Sequence, residues 1–293
     1  GRGARWRVSG PLVPAAIASA FEAACLAELD ALKPGNVHRY GEGHGMSVAD
    51  FETSARVAAP YLAEPDSSVG LRIRHTIEAT ARAVGQNTNL GIVLLCAPLA
   101  SAALGTGGGD LRKRLTTVLE TLTVEDAKET YVAIRLAKAG GLGTVEKHDL
   151  GSEPKVTLLE AMREAEARDR IAWNYAHDFA DIFTTGIPRL RQGRARYGAH
   201  EWAVTDLYLS LLAKIPDTLI ARKFGVKAAA QVTENAYKTL KAFVEAETAE
   251  ARVDALLTFD KALKDRALNP GTTADLTVAT LFASSLQAME IGA

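Results

Sequence analysis

The stretch LGIVLLCAPLASAAL at residues 90–104 is the longest apolar run of the chain. A helix needs about 20 apolar residues to cross a bilayer, so this run is too short, and Pro98 interrupts it. A helix that is apolar on every side has to be enclosed by other parts of the protein. We therefore interpret residues 90–104 as a buried core helix.

Around this run, the apolar residues recur at the spacing of amphipathic helices. Ile17, Phe21, Cys25 and Leu29, for example, follow one another at steps of four. We find no convincing alternating strand, heptad array or internal repeat. The sequence therefore predicts an all-α, single-domain globular bundle of about ten to twelve helices. This domain spans residues 1–293, and we expect residues 1–9 to be disordered or not native to the chain.

The composition is that of an ordinary globular protein and restricts the possible partners. The 293 residues are 47% hydrophobic and 24% charged, with a net charge of −1. No overall basic field would attract nucleic acid or anionic lipid, so we expect neither as a partner. Two cysteines without a disulfide or zinc spacing favour a reducing compartment, the cytoplasm. The oligomeric state stays open, a homo-oligomer included.

One carboxylate lies near the centre of the apolar stripe of the first helix. At about 100° per residue, Glu28 falls within roughly 20° of Ile17 and Phe21. A carboxylate in this position is costly unless it is paired, hydrogen-bonded or bound to a cation. Pro34 and Gly35 then end the helix. The following loop is either a plain connection or a site for an anionic ligand, and its polar residues include Lys33, Asn36, His38, Arg39 and His44.

Three short polar segments interrupt the predicted helices and have a similar composition. We call them the polar breaks, and they are KPGNV at 33–37, NTNLG at 87–91 and NPGTTAD at 269–275. Each break places glycine, asparagine or threonine at the start of a helix or just before it. Free N–H groups and the positive end of the helix dipole suit phosphate there, although ordinary helix caps look the same. The candidate phosphate-binding residues are Lys33, Gly35, Asn36, Arg39, Asn87, Thr88, Asn89, Gly271, Thr272 and Asp275.

A possible metal site lies on a long helix predicted from Thr157 to about Thr184. Asn174, His177, Asp178 and Asp181 are spaced at i, i+3, i+4 and i+7, which would place them on one helix face. Oxygen ligands on one face suit Mg²⁺, and a solvated helix face is the alternative.

Two further segments each have two possible interpretations. The segment DTLIARKFG at 217–225 offers the acid Asp217 beside Arg222 and Lys223, as a phosphate site or a surface charge cluster. The irregular stretch at 139–155 is either a lid over a site or a surface loop.

Four motifs in order resemble the triphosphoribosyl-dephospho-coenzyme A synthase family, and together they cover nearly the whole chain. Glu28 precedes KPGNVH at 33–38 and GHGM at 43–46, and G-x-N-T-x-x-G follows at 85–91. D-T-x-x-x-R then lies at 217–222 and P-G-x-x-A-D-L at 270–276. The middle of the chain is similar to a branch of relatives from archaea and methylotrophic bacteria.

The resemblance implies an all-helical transferase with ATP as a substrate and Mg²⁺ as the probable cofactor. A hydroxyl of the acceptor, 3'-dephospho-coenzyme A in the named family, would attack the anomeric carbon of the ATP ribose and release adenine. Glu28 would be the base or a metal ligand, and His38 or His44 would protonate the purine. The remaining expected roles are phosphate neutralisation by Lys33, Arg39 and Arg222, and Mg²⁺ binding by Asp178, Asp181 or Asp217.

One departure from the family keeps two alternatives open. Asn89 and Leu90 stand where the family usually has a His-Lys pair. Because this chain lacks that lysine beside the phosphate-binding loop, its nucleotide or its acceptor can differ from those of the named family. A related phosphoribosyl transfer in the biosynthesis of a tetrahydromethanopterin-type cofactor is one alternative. A non-catalytic helical protein that binds a nucleotide or a cofactor is the other.

Overall fold

The computed structural model describes residues 12–41, 46–139, 152–198 and 201–292. Within these ranges the chain forms fourteen α-helices, one π-helical turn and no β-strand. The all-α prediction is confirmed, and the helices slightly outnumber the expected ten to twelve. In chain order they are α1 Pro14–Asp30, α2 Val48–Leu62, α3 Val69–Val84, α4 Leu90–Leu104, α5 Leu111–Glu120, α6 Val124–Ala139, α7 Leu158–Ala165, α8 Arg170–Ala176, the π-helical turn Asp181–Gly186, α9 Ile187–Tyr197, α10 Glu201–Lys214, α11 Thr218–Phe224, α12 Val226–Glu245, α13 Ala249–Lys264 and α14 Gly271–Gly292.

Helix α4 has the central position that its apolar sequence predicts. All but its two ends and Ser101 are buried, and α1, α2, α3, α5, α8 and α14 pack around it. Its residues belong to the larger of two hydrophobic clusters. Burial of large apolar side chains contributes about 1.5–3 kcal/mol for each of them, so α4 is a main source of stability.

A second hydrophobic cluster lies between α10, α11, α12 and α13. The loop after α1 is attached to this cluster through α10. Thr205 donates a hydrogen bond to the carbonyl of Leu32 at 2.9 Å, and Tyr208 donates one to the carbonyl of Pro34 at 2.6 Å. The KPGNVH segment is therefore held by α10 and is not a free surface loop.

The predicted long helix from Thr157 to Thr184 is wrong, because the chain is broken twice in this region. Helix α7 ends at Ala165 and α8 at Ala176, and Asp178 and Phe179 follow with φ angles of 49° and 53°. Polar side chains here take up backbone hydrogen-bonding groups that would otherwise bond within a continuous helix. Asn174 accepts a hydrogen bond from the backbone N–H of Asp181 at 3.2 Å, which fixes the turn between them. The sequence analysis also missed α9, which directly follows the π-helical turn.

No helix in the described ranges is both long and apolar enough to cross a membrane.

Gly70 provides a test of how closely α3 and α6 pack. A Cβ on Gly70 would lie 2.6 Å from the Cα and 2.7 Å from the carbonyl oxygen of Asp126. Backbone atoms cannot move aside without shifting a helix, so Gly70→Ala should lower the free energy of unfolding by about 1–3 kcal/mol. Urea unfolding followed by circular dichroism measures this change.

The matched control is Gly108→Ala, because no heavy atom lies within 4 Å of a Cβ at this position. It should change the free energy of unfolding by less than about 0.5 kcal/mol. Equal stability of the two variants would contradict the close contact between α3 and α6.

Candidate active site

Four segments that are far apart in the sequence line one cleft with a volume of about 340 Å³. They are the end of α1 with its following loop, the loop before α4, the start of α11 and the start of α14. Helices α6 and α8 complete the walls. The polar residues of the lining are Glu28, Asn36, Asn87, Thr88, Asn89, Lys138, Asp169, Thr218, Arg222, Lys223, Asn269, Thr272 and Asp275. The structure thus brings the three polar breaks and the 217–225 segment together.

Glu28 and Lys33 form a buried ion pair at the inner side of the cleft. The Lys33 ammonium also donates to the side chain of Asn36 at 3.3 Å and to the carbonyl of Val37 at 2.8 Å. Its three donors are therefore used inside the protein, and Lys33 is not part of the cleft wall. This differs from the expected position beside a phosphate. Burial raises the pKa of Glu28, and the charge of Lys33 opposes that shift.

His38 lies outside the cleft, which does not fit the expected role of protonating a purine. Its side chain is fully buried, with Nε2 3.2 Å from a carboxylate oxygen of Asp260. Its Nδ1 accepts a hydrogen bond from the backbone N–H of Tyr40 at 3.2 Å. Burial lowers the pKa of His38, so the ring is a neutral structural group. His44 lies outside the described residues, as does most of the 139–155 segment.

Gly35 is a structural residue of the same network. Its backbone N–H donates to Asp260 at 2.8 Å, so this N–H is not available to a phosphate. Its φ angle of +82° favours glycine, and a Cβ would lie 2.8 Å from side-chain atoms of Leu263 and Pro270. Arg39 is also turned away from the cleft, because it pairs with Asp30 and Glu52.

Asn36 joins the first and the last motif. Its amide nitrogen donates a hydrogen bond of 2.7 Å to the side-chain oxygen of Asn269. Both residues line the cleft. This bond connects positions that are 233 residues apart, so the cleft depends on the tertiary fold and not on any one loop.

The loop before α4 supplies its own cap. The side-chain oxygen of Asn87 accepts from the backbone N–H groups of Asn89 at 3.2 Å and Leu90 at 2.9 Å. The hydroxyl of Thr88 is hydrogen-bonded to that of Ser54. Asn87 therefore forms a side-chain turn just before the helix, a local structural role like the ordinary alternative for these breaks.

The three expected metal ligands do not come together. Asp178 is exposed in the turn after α8. Asp181 is held by both guanidinium nitrogens of Arg170, at 2.7 and 2.9 Å, and by Asn174 at 2.9 Å. No group of three or more His, Cys, Asp or Glu residues in the described ranges could hold a metal ion. The metal face expected on one long helix is therefore wrong, because that helix does not exist.

Asp217 is a cap shared by two helices. One carboxylate oxygen accepts from the N–H groups of Leu219 and Ile220, at 2.9 and 3.1 Å. The other accepts from the N–H and the hydroxyl of Thr273, both at 2.8 Å. Four hydrogen bonds saturate this carboxylate, so it fixes the start of α11 against the start of α14 and is not free to bind a metal.

Asp275 is in a different situation. No hydrogen-bond donor for its carboxylate is found among the described residues, and its side chain lines the cleft. It lies against the first turn of α4, where a Cβ on Gly91 would overlap it. Burial raises the pKa of Asp275 well above the usual range, and the nearby carboxylates of Asp217, Glu28 and Asp169 raise it further. Asp275 is therefore a carboxyl group without a donor among the described residues, in surroundings that favour its protonated form.

Three further polar residues line the cleft, and of these only Asp169 was not singled out from the sequence. Asp169 caps α8 with one oxygen, which accepts from Ile171 and Ala172 at 2.8 and 3.1 Å. Arg222 and Lys223 are exposed at the edge of the cleft, without an ion-pair partner among the described residues. An N-cap pattern could have identified Asp169, but nothing in the local sequence marks it as part of a site.

A family model for ATP:dephospho-CoA triphosphoribosyl transferase matches residues 14–291, which is nearly the whole chain. The chain belongs to this family. It is 27% identical over 311 residues to the Klebsiella pneumoniae 2-(5''-triphosphoribosyl)-3'-dephosphocoenzyme-A synthase, covering 97% of this chain and 95% of that protein. A crystal structure from Archaeoglobus fulgidus, provisionally named triphosphoribosyl-dephospho-CoA synthase, is 25% identical with a TM-score of 0.60. The match covers 79% of this chain and 96% of that one.

These matches establish the enzyme class that the motifs indicated, because the family is one of transferases that act on dephospho-CoA. ATP as a substrate is consistent with the family's described reaction. The comparisons also agree with the all-helical fold.

The ion pair between Glu28 and Lys33 can be tested by a double-mutant cycle. Lys33→Met leaves a buried carboxylate without its partner, and Glu28→Gln leaves a buried ammonium. Each should lower the free energy of unfolding by about 3–5 kcal/mol. The double variant should be less destabilised than the sum of the two, by about 0.5–3 kcal/mol. Urea unfolding of all four proteins measures the coupling, and strict additivity would show that the pair does not interact.

The raised pKa of Asp275 predicts a pH-dependent stability difference. A carboxyl group with a raised pKa stabilises the fold below its unfolded pKa, and this contribution is lost as pH rises through the folded value. Asp275→Asn should therefore be more stable than the parent by on the order of 1 kcal/mol at about pH 9. The difference should shrink as the pH falls toward about 5.

Urea unfolding across this pH range makes the measurement. The matched control is Asp254→Asn, an exposed residue of α13, which should show no such trend. A stability gain of Asp275→Asn that grows toward low pH would have the wrong sign and would exclude a raised pKa.

Proposed function

We propose that this cleft transfers the triphosphoribosyl group of ATP to a hydroxyl of 3'-dephospho-coenzyme A. The observation that carries the proposal is the position of Asp275, an unpaired carboxyl group in a cleft lined by all four family motifs. The relative from Klebsiella pneumoniae is named for the product of this reaction. We place the reaction in the cytoplasm, where ATP is present and where Cys25 and Cys96 would stay free thiols.

The reaction exchanges one bond at the anomeric carbon of the ATP ribose. The acceptor oxygen forms a bond to this carbon, and the bond to the adenine nitrogen breaks. Adenine takes the electron pair and a proton, while the acceptor hydroxyl gives up a proton. The triphosphate stays on the sugar. The protein has to supply a base, an acid and charge for the triphosphate.

Two carboxyl groups of the cleft have environments that suit opposite roles. Asp275 is half-buried in the cleft wall, and desolvation together with the carboxylates of Asp217, Glu28 and Asp169 raises its pKa, so it is the proposed acid that protonates the leaving adenine. Burial raises the pKa of Glu28, but the charge and hydrogen bond of Lys33 oppose that shift and favour the ionised carboxylate, so Glu28 is the proposed base for the hydroxyl. Pairs of carboxyl groups with different neighbours commonly divide acid and base roles in this way. Asp275 thus takes the role first expected of His38 or His44.

We place the triphosphate beside Arg222, Lys223 and Thr272 of the cleft lining. Arg222 and Lys223 offer positive charge there, and the first turn of α14 at Thr272 offers the positive end of a helix dipole.

Mg²⁺ would fit as a companion of the triphosphate and not as a resident metal. Magnesium commonly takes one or two carboxylates and completes its shell with phosphates and water. Asp169 is the carboxylate that would hold it, because one of its oxygens has no partner among the described residues. The metal would neutralise charge on the triphosphate.

Transfer to a different acceptor is the second candidate. Asn89 and Leu90, which replace the His-Lys pair usual in the family, both line the cleft. The wall is therefore neutral at a place where relatives carry positive charge, and the acceptor that fits here can differ.

The test is adenine release from ATP, followed by chromatography, with 3'-dephospho-coenzyme A or a pterin-cofactor precursor as acceptor. The parent protein should release adenine with one of them. Asp275→Asn should lower kcat by about 10²-fold or more, with its stability retained. Asp254→Asn is the control with parental kcat.

The two acceptors separate the two candidate functions. Adenine release with the pterin precursor alone would contradict transfer to 3'-dephospho-coenzyme A and support transfer to a different acceptor. No release with any acceptor, together with ATP binding in calorimetry, would indicate a non-catalytic binding protein. Parental kcat in Asp275→Asn would remove Asp275 from the acid role.

A further inference from the structure

A second recess of about 220 Å³ lies beside the cleft. Its walls are mainly apolar and come from Ile77 and Ala81 of α3 and from Leu136 of α6. Asn87 and Asn89 line both the recess and the cleft, so the two spaces share one wall. Pockets that hold whole drug-sized ligands have volumes of roughly 300–1,000 Å³, so this recess suits one part of a larger ligand.

Asn89 presents a buried acceptor without a partner in this shared wall. The residue is 5% exposed, and its Oδ1 has no hydrogen-bond donor among the described residues. Its Nδ2 donates to the hydroxyl of Thr80 at 3.0 Å. That hydroxyl donates its own hydrogen to the carbonyl of Thr76 at 3.2 Å, so it can only accept from Asn89. The amide orientation is therefore fixed, and the unpaired atom is the oxygen.

A buried acceptor without a donor destabilises a protein, so its presence in a native structure calls for an explanation. A donor on a ligand in the recess would supply the missing partner. A phosphate does not fit, because its oxygens are acceptors and would repel Oδ1. A ribose does not fit either, because its several hydroxyls need more polar partners than these apolar walls provide.

We propose that the recess is an adenine pocket in which Asn89 Oδ1 accepts a hydrogen bond from the exocyclic amino group of the base. The inference rests on the proposed function, since both proposed substrates, ATP and 3'-dephospho-coenzyme A, carry an adenine. The base would pack against Ile77, Ala81 and Leu136, while the rest of the molecule extends into the cleft past Asn87. Asn89 would thereby favour a purine that carries an amino group at its 6-position.

Binding of matched ligand pairs tests the proposal without a need for turnover. Calorimetry compares ATP with purine riboside triphosphate, which lacks the 6-amino group. A second comparison uses 3'-dephospho-coenzyme A and its analogue without this group. Loss of the hydrogen bond should weaken one of the two ligands about tenfold. The pair that responds identifies the substrate whose adenine occupies the recess.

A variant assigns this selectivity to Asn89. In Asn89→Ala the affinity ratio of the responding pair should fall from about tenfold to within about twofold. The matched control is Asn235→Ala in α12, a half-buried residue that lines neither the recess nor the cleft, which should keep the parental ratio. Equal affinities in both ligand pairs for the parent protein would overturn the proposal. Retained selectivity in a folded Asn89→Ala would also overturn it.

The ligand comparison on the parent protein stays decisive even if Asn89→Ala does not fold. Its result is also separate from that of the transfer reaction. Selectivity for the amino group without adenine release would support the pocket and contradict the proposed transfer. Adenine release without selectivity would support the transfer and contradict the pocket.

Discussion

The buried ion pair between Glu28 and Lys33 is the constraint from which the cleft is built. Two charges removed from water are costly, and the pair persists only because the remaining donors of Lys33 are satisfied by Asn36 and Val37. These bonds close the loop after α1 into one shape. Asn36 then bonds to Asn269, so a local electrostatic requirement near the start of the chain fixes the segment before α14.

The acidic residues around the cleft differ mainly in how many donors surround them. Asp217 accepts four hydrogen bonds and Asp181 is held by Arg170 and Asn174, so both are structural. Asp275 has no such donors among the described residues and faces other carboxylates instead. The saturated carboxylates hold helix ends rigidly, and that rigidity allows an unsatisfied one to persist in the cleft.

The sequence predicted those parts of the structure that depend on local patterns. The apolar run at 90–104 is buried as α4, the core helix that its composition indicates. Helix starts with glycine, asparagine or threonine were recognised because caps leave a local signature. The resemblance to a family suggested that these helix starts meet in one cleft. The spacing of apolar residues does not show which loops lie together.

The predictions were wrong where side-chain hydrogen bonds that residue spacing does not show decide the structure. Spacing alone placed Asp178 and Asp181 on one helix, but the bonds of Asn174 and Arg170 to Asp181 end that helix early. His38 looked like a catalytic imidazole until the fold placed Asp260, 222 residues away, against its ring. A side chain's role in this protein follows from partners that the local sequence does not show.

The charges of the cleft lining explain why the uncharged residues Asn89 and Leu90 can stand at the start of α4. Carboxyl groups of Glu28, Asp169 and Asp275 line the cleft, and any of them that is ionised and unpaired repels a polyphosphate unless cations balance it. Asn89 and Leu90 add no charge where the family usually has histidine and lysine. The balancing cations are therefore on other walls, at Lys138, Arg222 and Lys223. A neutral wall at Asn89 is better suited to an uncharged base than to a phosphate, because an amide oxygen attracts donors and repels anions.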